Sequence, residues 1–462
     1  MQVEFAGLSG DWNPMHMDPV AARRTSSGRQ VVHGMHTVLR ALDDFAASSP
    51  KVSLPSTLTV RFPVPVYLNE AVEVLEVEHT DTSVRLQAQV DGTATVDLRM
   101  TLGQAHGSHE VSGPYTVDSA AVCRELQISE MVGRSGTVNL ASEPDRIGQH
   151  FANAARWLGV ERVGAMLCLS RLIGMECPGL HSLFSAFKID FPLTPSLPVL
   201  HYQVASIKEQ LRLLKIEVQG LGIFGTAEAF ARQPPAVQLT TSDMAAAVNP
   251  TEFAGQRALV VGGSRGLGEL TAKILAAGGG HPTITYAAGK NEAERILTEI
   301  RLAGGSCNAL HYDARLPPSA QLENLGAPVS HLYYYATPQI QRRRTKRFDS
   351  AILDEFLEFY VRAFYDLCVT LREKSPERLA AFYPSSIAVT DRPREMTEYA
   401  MAKAAAEVLC ADLNRSWPGM HILSVRLPRI LTDQTATVVP VESANALDVI
   451  LPIVRKVQSF AL

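Results

Sequence analysis

The chain has 462 residues, of which 46% are hydrophobic and 19% charged, a composition that excludes a disordered or low-complexity protein. The formal net charge of −4 excludes a globally basic surface, so neither nucleic acid nor an anionic membrane is an expected partner. No apolar run reaches the ~18 residues that span a bilayer, the first residues lack a secretory pattern, and the six cysteines (Cys123, Cys168, Cys177, Cys307, Cys368, Cys410) show no CxxC or metal-like spacing, which points to a cytoplasmic protein with reduced thiols and no metal site.

Length alone suggests about three domains. Two stretches read as connectors: Gly103 to Pro114, small and glycine-rich, and Arg232 to Ala254, which opens on the adjacent prolines Pro234 and Pro235. They divide the chain into 1–105, 115–235 and 255–462.

In the first piece a helix is expected after Gly34, followed by strands over Leu58–Pro63, Ala71–Val77, Val84–Val90 and Thr95–Met100, each with period-2 alternation. The second piece repeats the pattern. A helix over Val163–Arg171 precedes strands over Phe187–Pro192, Leu200–Val204, Leu211–Val218 and Gly225–Phe230. Arg61-Phe62-Pro63 aligns with Asp190-Phe191-Pro192. One such unit cannot cover both faces of its long helix, whereas two side by side form a continuous sheet. The third piece alternates differently: strand Ala258–Val261, glycine loop Gly262–Gly268, helix Glu269–Ala277, strand Thr283–Tyr286, helix Asn291–Leu302 and strand Ala309–Tyr312. That order predicts a parallel, doubly wound sheet of Rossmann type.

The densest chemical signal lies at the start. Asp11 and His16 stand five residues apart across an Asn13-Pro14 turn, and Val32-His33-Gly34-Met35 opens an apolar helix. A carboxylate and an imidazole so placed can share one water, and a glycine N–H at a helix start can face a developing oxyanion. The motif resembles that of the MaoC-like (R)-specific enoyl-thioester hydratases, of hotdog fold. The resemblance implies that Asp11 and His16 are the catalytic pair and that the Gly34 N–H lies in the oxyanion site. Asn13 would orient the loop, and His33 and His36 would be helix-start and packing residues. The second piece lacks the motif. It resembles the non-catalytic half of a double hotdog, which completes the sheet and shapes the acyl cavity.

In the third piece the glycine loop follows a strand and opens a helix, as a dinucleotide-binding loop must. Tyr399 and Lys403 are four residues apart on one helix face, where the lysine charge is expected to lower the phenol pKa. The tyrosine could then pass a proton to a carbonyl being reduced by hydride, and Ser386, 13 residues before Tyr399 and just past strand Ala380–Tyr383, can hydrogen-bond the same carbonyl. These spacings resemble the short-chain dehydrogenase/reductases, in particular their beta-ketoacyl-ACP reductases, over 255–435. The resemblance implies catalytic Ser386, Tyr399 and Lys403 and homodimerisation. It also implies a cofactor held by Gly262, Ser264, Arg265, Gly266, Leu267 and Gly268, with Asp313 by the adenine and Ala336 beside the cofactor. No acidic residue ends the second strand, while Arg265 and Lys290 could meet a 2′-phosphate, so NADPH is expected over NADH.

The same stretch departs from the family at Val261, Tyr335-Ala336-Thr337, Pro428-Arg429 and Tyr360, the last standing where the family holds a catalytic asparagine. An active reductase and a degenerate structural module are both left open. The basic run Arg342–Arg347 reads as a solvated loop or as a dock for an acyl carrier protein or CoA phosphates.

The leading expectation is an α+β double hotdog followed by an α/β Rossmann-type domain, bifunctional on acyl-CoA or acyl carrier protein thioesters. The third piece would reduce a 3-ketoacyl thioester, and the first two would dehydrate the 3-hydroxyacyl product to the 2-enoyl form. Run backwards, the same parts hydrate and then oxidise. A dehydratase with a scaffold module, and a non-enzymatic acyl-thioester-binding subunit, are the alternatives.

Overall fold

A computed structural model describes residues 1–462 except 104–113, 120–121, 193–195, 324, 342–346, 375–377, 440 and 461–462. Most of the first connector and nearly all of the basic run therefore lie outside the described residues. The chain divides into two compact units. One is Met1–Pro234 with Thr437–Val441, and the other is Pro235–Ala436 with Glu442–Leu462.

The first unit is built on a nine-stranded antiparallel sheet. Its strands are β1 Pro55–Arg61, β2 Glu73–His79, β3 Ser83–Val90, β4 Thr93–Leu102, β5 Ser135–Val138, β6 Ser182–Asp190, β7 Leu200–Lys208, β8 Leu213–Gly220 and β9 Ile223–Ala231. Their spatial order is β2-β3-β4-β1-β6-β9-β8-β7-β5. Read outward from the seam, β1-β4-β3-β2 on one side has the same connectivity as β6-β9-β8-β7 on the other. At the seam β1 and β6 run antiparallel, from Thr57 opposite Asp190 to Arg61 opposite Ala186. The short edge strand β5, paired with β7, has no counterpart in the sequence reading.

Alternation decides which face of each strand is buried. In β3, Val84, Leu86, Ala88 and Val90 point inward and their neighbours do not. Each half supplies one long helix. On Gly34–Ser48, Met35, Val38, Leu39, Leu42 and Phe45 form a buried stripe. The second helix, Val160–Arg171, is buried all round from Arg162 onward, and a π-helical turn, Leu172–Glu176, continues it. Such turns concentrate at functional sites. All six cysteines are free; five are buried and Cys123 is half-buried.

The second unit is a six-stranded parallel sheet formed by β10 Arg257–Val261, β11 His281–Tyr286, β12 Asn308–His311, β13 His331–Tyr334, β14 Leu379–Ser386 and β15 Met420–Leu427. Their order is β12-β11-β10-β13-β14-β15, with every neighbouring pair parallel. This is the doubly wound Rossmann order, which places ligands at the carboxyl ends of β10 and β13, where the winding reverses. Both faces are covered. Leu259, Val261 and Tyr334 enter one core, while Ala258, Val260 and Tyr333 enter the other. The aromatic run at 333–335 is thus mostly sheet interior. Among the described residues no helix is long and apolar enough to cross a membrane.

Gly225 lies on β9, where a Cβ would come within 2.1 Å of the Lys188 carbonyl oxygen on β6. Backbone cannot yield there as a side-chain tip could. Gly225→Ala is expected to force β6 and β9 apart and to lower the thermal transition of the first unit by several degrees, roughly the effect of 1–3 kcal/mol. Differential scanning calorimetry of the full chain checks this.

Candidate active site

Asp11 and Asn13, both buried, sit on a short loop between the Gln2–Ser9 helix and a one-turn helix, Pro14–Met17, which carries His16. The expected Asn-Pro turn is the start of that small helix. Asn13 caps it, accepting from the Met15 N–H at 2.9 Å, with Pro14 at the first position. The other end of the Asn13 side chain crosses to the second half, where Nδ2 donates to the carbonyls of Gly174 at 2.7 Å and Gly179 at 3.2 Å.

Asp11 is held in the same way. Its Oδ2 accepts from the Ser170 hydroxyl at 2.7 Å, and its Oδ1 accepts from the Asn13 N–H at 3.3 Å. Gly174 leaves room for it, since a Cβ there would lie 2.2 Å from Oδ1. Ser170 and Gly174 stand at the end of the second long helix and in its π-helical turn, so the second half builds part of this site. The sequence marks neither residue, because both act on a loop about 160 positions earlier.

Hydrogen bonds fix the two imidazoles. His16 Nδ1 lies 2.8 Å from the Val31 carbonyl, which can only accept, so Nδ1 carries the proton and Nε2 is left with its lone pair. His33 Nε2 lies 2.9 Å from the Asp11 carbonyl and its Nδ1 has no partner, which is the opposite tautomer. The two rings stack at 3.9 Å. His33, expected to be a helix-start and packing residue, stands just before the helix and packs into the cluster on His16, whereas His36 stacks on Phe5 at 4.8 Å. One ligand atom from each of Asp11, His16 and His33 falls within 4.8 Å of the others. One water making two hydrogen bonds of about 2.8 Å bridges up to roughly 5.6 Å, so the spacing of Asp11 and His16 accepts a single water. Gly34 opens its helix as expected, with Phe62 closing over it: a Cβ on Gly34 would lie 2.8 Å from that ring.

Burial sets the electrostatics. It pushes the Asp11 carboxyl above its ordinary value, against the opposing effects of His16, Ser170 and the Asn13 N–H. It holds His16 below 6.5, opposed by Asp11 and the Val31 carbonyl and helped by the cation of Arg232. His33 is held well below 6.5 by burial and by His16. The cluster thus favours neutral imidazoles, one of which has an open nitrogen.

In the second unit Gly262 (φ 76°) and Gly266 (φ 58°) adopt left-handed backbone. The Gly266–Ala277 helix starts so close to the loop that a Cβ on Gly268 would lie 2.4 Å from the Gly262 carbonyl oxygen. Ala336 borders the loop, its nitrogen 3.3 Å from where a Gly262 Cβ would be. Ser264 is buried and Leu267 packs partly into the core. This cradle, open to a helix N-terminus, fits a dinucleotide pyrophosphate. Other expected contacts are already engaged. Arg265 reaches Asp433 at 3.3 Å, Lys290 lies 3.7 Å from Glu294, and Asp313 is bonded by Arg315.

The reductase-like trio is brought together only in part. Ser386, the last residue of β14 rather than past it, accepts from the Ala388 N–H at 3.1 Å and acts on the Tyr399 phenol, whose pKa it lowers. Lys403 instead donates to the Pro384 carbonyl at 2.7 Å and lies on the face of Tyr360, 3.8 Å from its centroid and 5.9 Å from that of Tyr399. Tyr360 in turn bonds Thr337 at 2.5 Å. The expectation that the lysine charge lowers the phenol is not met. Burial raises the Tyr399 pKa, with only Ser386 acting against it, and brings Lys403 down to about 7. In this arrangement Lys403 is covered by the Tyr360 ring and bonded to a backbone carbonyl rather than set beside the Tyr399 phenol.

Residues 1–100 match the family model described as MaoC like domain. The chain is also similar to several solved structures over about two fifths of its length. One is a 3-oxoacyl (acyl-carrier-protein) reductase from Agrobacterium tumefaciens C58 with NADP bound, at 23% identity over 40% of this chain and 75% of that one, TM-score 0.37. Another is a short chain dehydrogenase from Burkholderia cenocepacia J2315 in complex with NADP, at 27% identity over 40% and 78%, TM-score 0.35. A third is the FolM alternative dihydrofolate reductase 1 from Brucella suis in complex with NADP, at 18% identity over 39% and 74%, TM-score 0.36.

If His16 acts as a base through Nε2, its protonation silences it. Because its pKa lies below 6.5, that loss comes only on the acid side of 6.5. For a substrate whose turnover needs that base, the acid limb of the kcat/KM profile is expected to have its midpoint below 6.5; a midpoint at or above 6.5 contradicts a buried His16 base.

Proposed function

We propose that this chain, whose first 100 residues are a MaoC-like domain and whose second unit is of Rossmann type, interconverts 3-hydroxyacyl and 2-enoyl thioesters in its first unit. The two sheet halves would form a double hotdog, the first carrying the motif and the second completing its pocket. The observation that carries this reading is the buried Asp11–His16 pair, one ligand atom of each within 4.8 Å, with His16 Nδ1 held by the Val31 carbonyl and Nε2 without a hydrogen-bond partner among the described residues. In hydration, Asp11 and His16 would hold the water and His16 would take its proton. The Gly34 N–H would steady the thioester oxygen as it becomes enolate-like, and a proton would be returned at carbon 2. Asn13, Ser170 and His33 would position the loop.

For the second unit the bifunctional reading adds reduction of a 3-ketoacyl thioester with NADPH, favoured over NADH. Gly262, Ser264, Arg265, Gly266, Leu267, Gly268, Lys290, Asp313 and Ala336 would hold the dinucleotide, which supplies hydride when bound. Tyr399 and Ser386 would face the substrate carbonyl. Pairing of two copies and a cytoplasmic setting belong to the same reading. Lys403 beneath Tyr360 favours a second reading, in which this unit is a scaffold or carrier-protein platform and the chain is a hydratase/dehydratase alone.

Two measurements test these readings. Hydration of crotonyl-CoA by the full chain is expected to fall by at least about 100-fold in Asp11→Asn, and an unchanged rate would leave a binding subunit as the better description. Titration with NADPH followed by its fluorescence separates the two readings of the second unit: saturable binding at micromolar cofactor supports bifunctionality, and none at high micromolar concentration leaves the scaffold.

A further inference from the structure

Arg232 follows β9 directly. Its backbone is pinned on both sides, the N–H donating to the His181 carbonyl at 2.8 Å and the carbonyl accepting from Arg212 at 3.3 Å. Its Nε donates to the Ser182 carbonyl at 3.2 Å. The guanidinium is therefore laid over 181–182, immediately after Gly179 and Leu180, whose carbonyls accept from the Asn13 amide. Its charge is felt at His16. The two Nη groups have no partner among the described residues, and no carboxylate there pairs with this cation. Glu125, which reaches the same stretch, is bonded to His181 at 3.0 Å.

The surroundings are dry enough to bring the Arg232 pKa down to about 10, although the residue as a whole keeps some exposure to solvent. A desolvated cation is costly unless an anion joins it, and none of the described residues supplies one. We infer that Arg232 is the anion-holding group of the Asp11–His16 site, taking an oxyanion of the acyl thioester on its free Nη edge. The inference rests on the hydratase reading and deepens it. The oxyanion has two possible sources: the thioester oxygen as it becomes enolate-like, or a carboxylate at the far end of the acyl chain.

The test compares full-length wild type, Arg232→Gln and Arg232→Lys on crotonyl-CoA, whose acyl group is neutral, and on glutaconyl-CoA, which ends in a carboxylate. If Arg232 meets the thioester oxygen, kcat falls about 100-fold on both substrates in Arg232→Gln, with KM changed far less. If it meets a carboxylate, only glutaconyl-CoA suffers, through a rise in KM of about tenfold or more. In either case Arg232→Lys recovers part of the loss. Calorimetric binding of glutaryl-CoA and butyryl-CoA to wild type gives a readout that needs neither turnover nor a folded variant, and a preference of about tenfold for glutaryl-CoA identifies the carboxylate source. The inference is overturned if Arg232→Gln handles both substrates within twofold of wild type, or, should that variant not fold, if Arg232→Lys does so and wild type binds both analogues alike. Asp11→Asn run alongside separates the failures. Loss there with Arg232→Gln unaffected removes Arg232 alone, and no loss there removes the hydratase reading.

Discussion

A carboxylate taken out of water must be hydrogen-bonded by the protein, and the first unit is organised around meeting that condition for Asp11. The Ser170 hydroxyl comes from the second helix, the Asn13 N–H from the loop itself, and the space beside Oδ1 exists only because residue 174 has no side chain. The first and the last of these tie the amino-terminal loop to the second half of the unit, as the Asn13 amide does again at Gly174 and Gly179. The first half alone would leave the acid without its Ser170 bond, at a cost of a few kcal/mol. The continuous sheet across β1 and β6 therefore does more than bury strand edges: it brings together the two parts of one polar cluster.

Within that cluster, backbone carbonyls act as the tautomer switches. Val31 fixes the proton of His16 on Nδ1, and the Asp11 carbonyl fixes that of His33 on Nε2. Neutral imidazoles are then the low-energy state, since burial penalises the charged form of both rings. The same physics acts in the second unit with another outcome. Burial of Lys403 against Tyr360 weakens the charge that a Tyr-x-x-x-Lys pair depends on, and burial of Tyr399 raises the phenol. Spacing along a helix puts two side chains on one face; it does not say what else will occupy the space between them.

Much of the architecture was legible because it is written locally. Period-2 alternation located eight of the nine strands in the first sheet, and the strand–loop–helix order located the parallel sheet of the second unit. The strand that escaped, β5, carries Ser135-Gly136-Thr137-Val138, too short and too small-residued to show a period. At the site, Asp11, His16 and Gly34 were legible because a turn and a helix start set their spacing. Ser170 and Gly174 were not, since each reaches the cluster only through pairing of distant strands and helices, and neither was Arg232, whose guanidinium is placed by the Ser182 carbonyl. His33 was legible as a helix-start and packing residue, but a residue that begins a helix gives no sign that it packs on another imidazole.

The sequence by itself determined the local elements, the motif Asp11-x-Asn13-Pro14-x-His16, the glycine loop and the order in which strands and helices alternate, all of which depend on residues a few positions apart. Tertiary structure alone decided which carbonyl holds each imidazole proton, which hydroxyl meets the Asp11 carboxylate, where the Arg232 cation points, and that Tyr360 rather than solvent covers Lys403. These depend on desolvation and on contacts between residues up to about 160 positions apart, and neither quantity exists until the chain has folded.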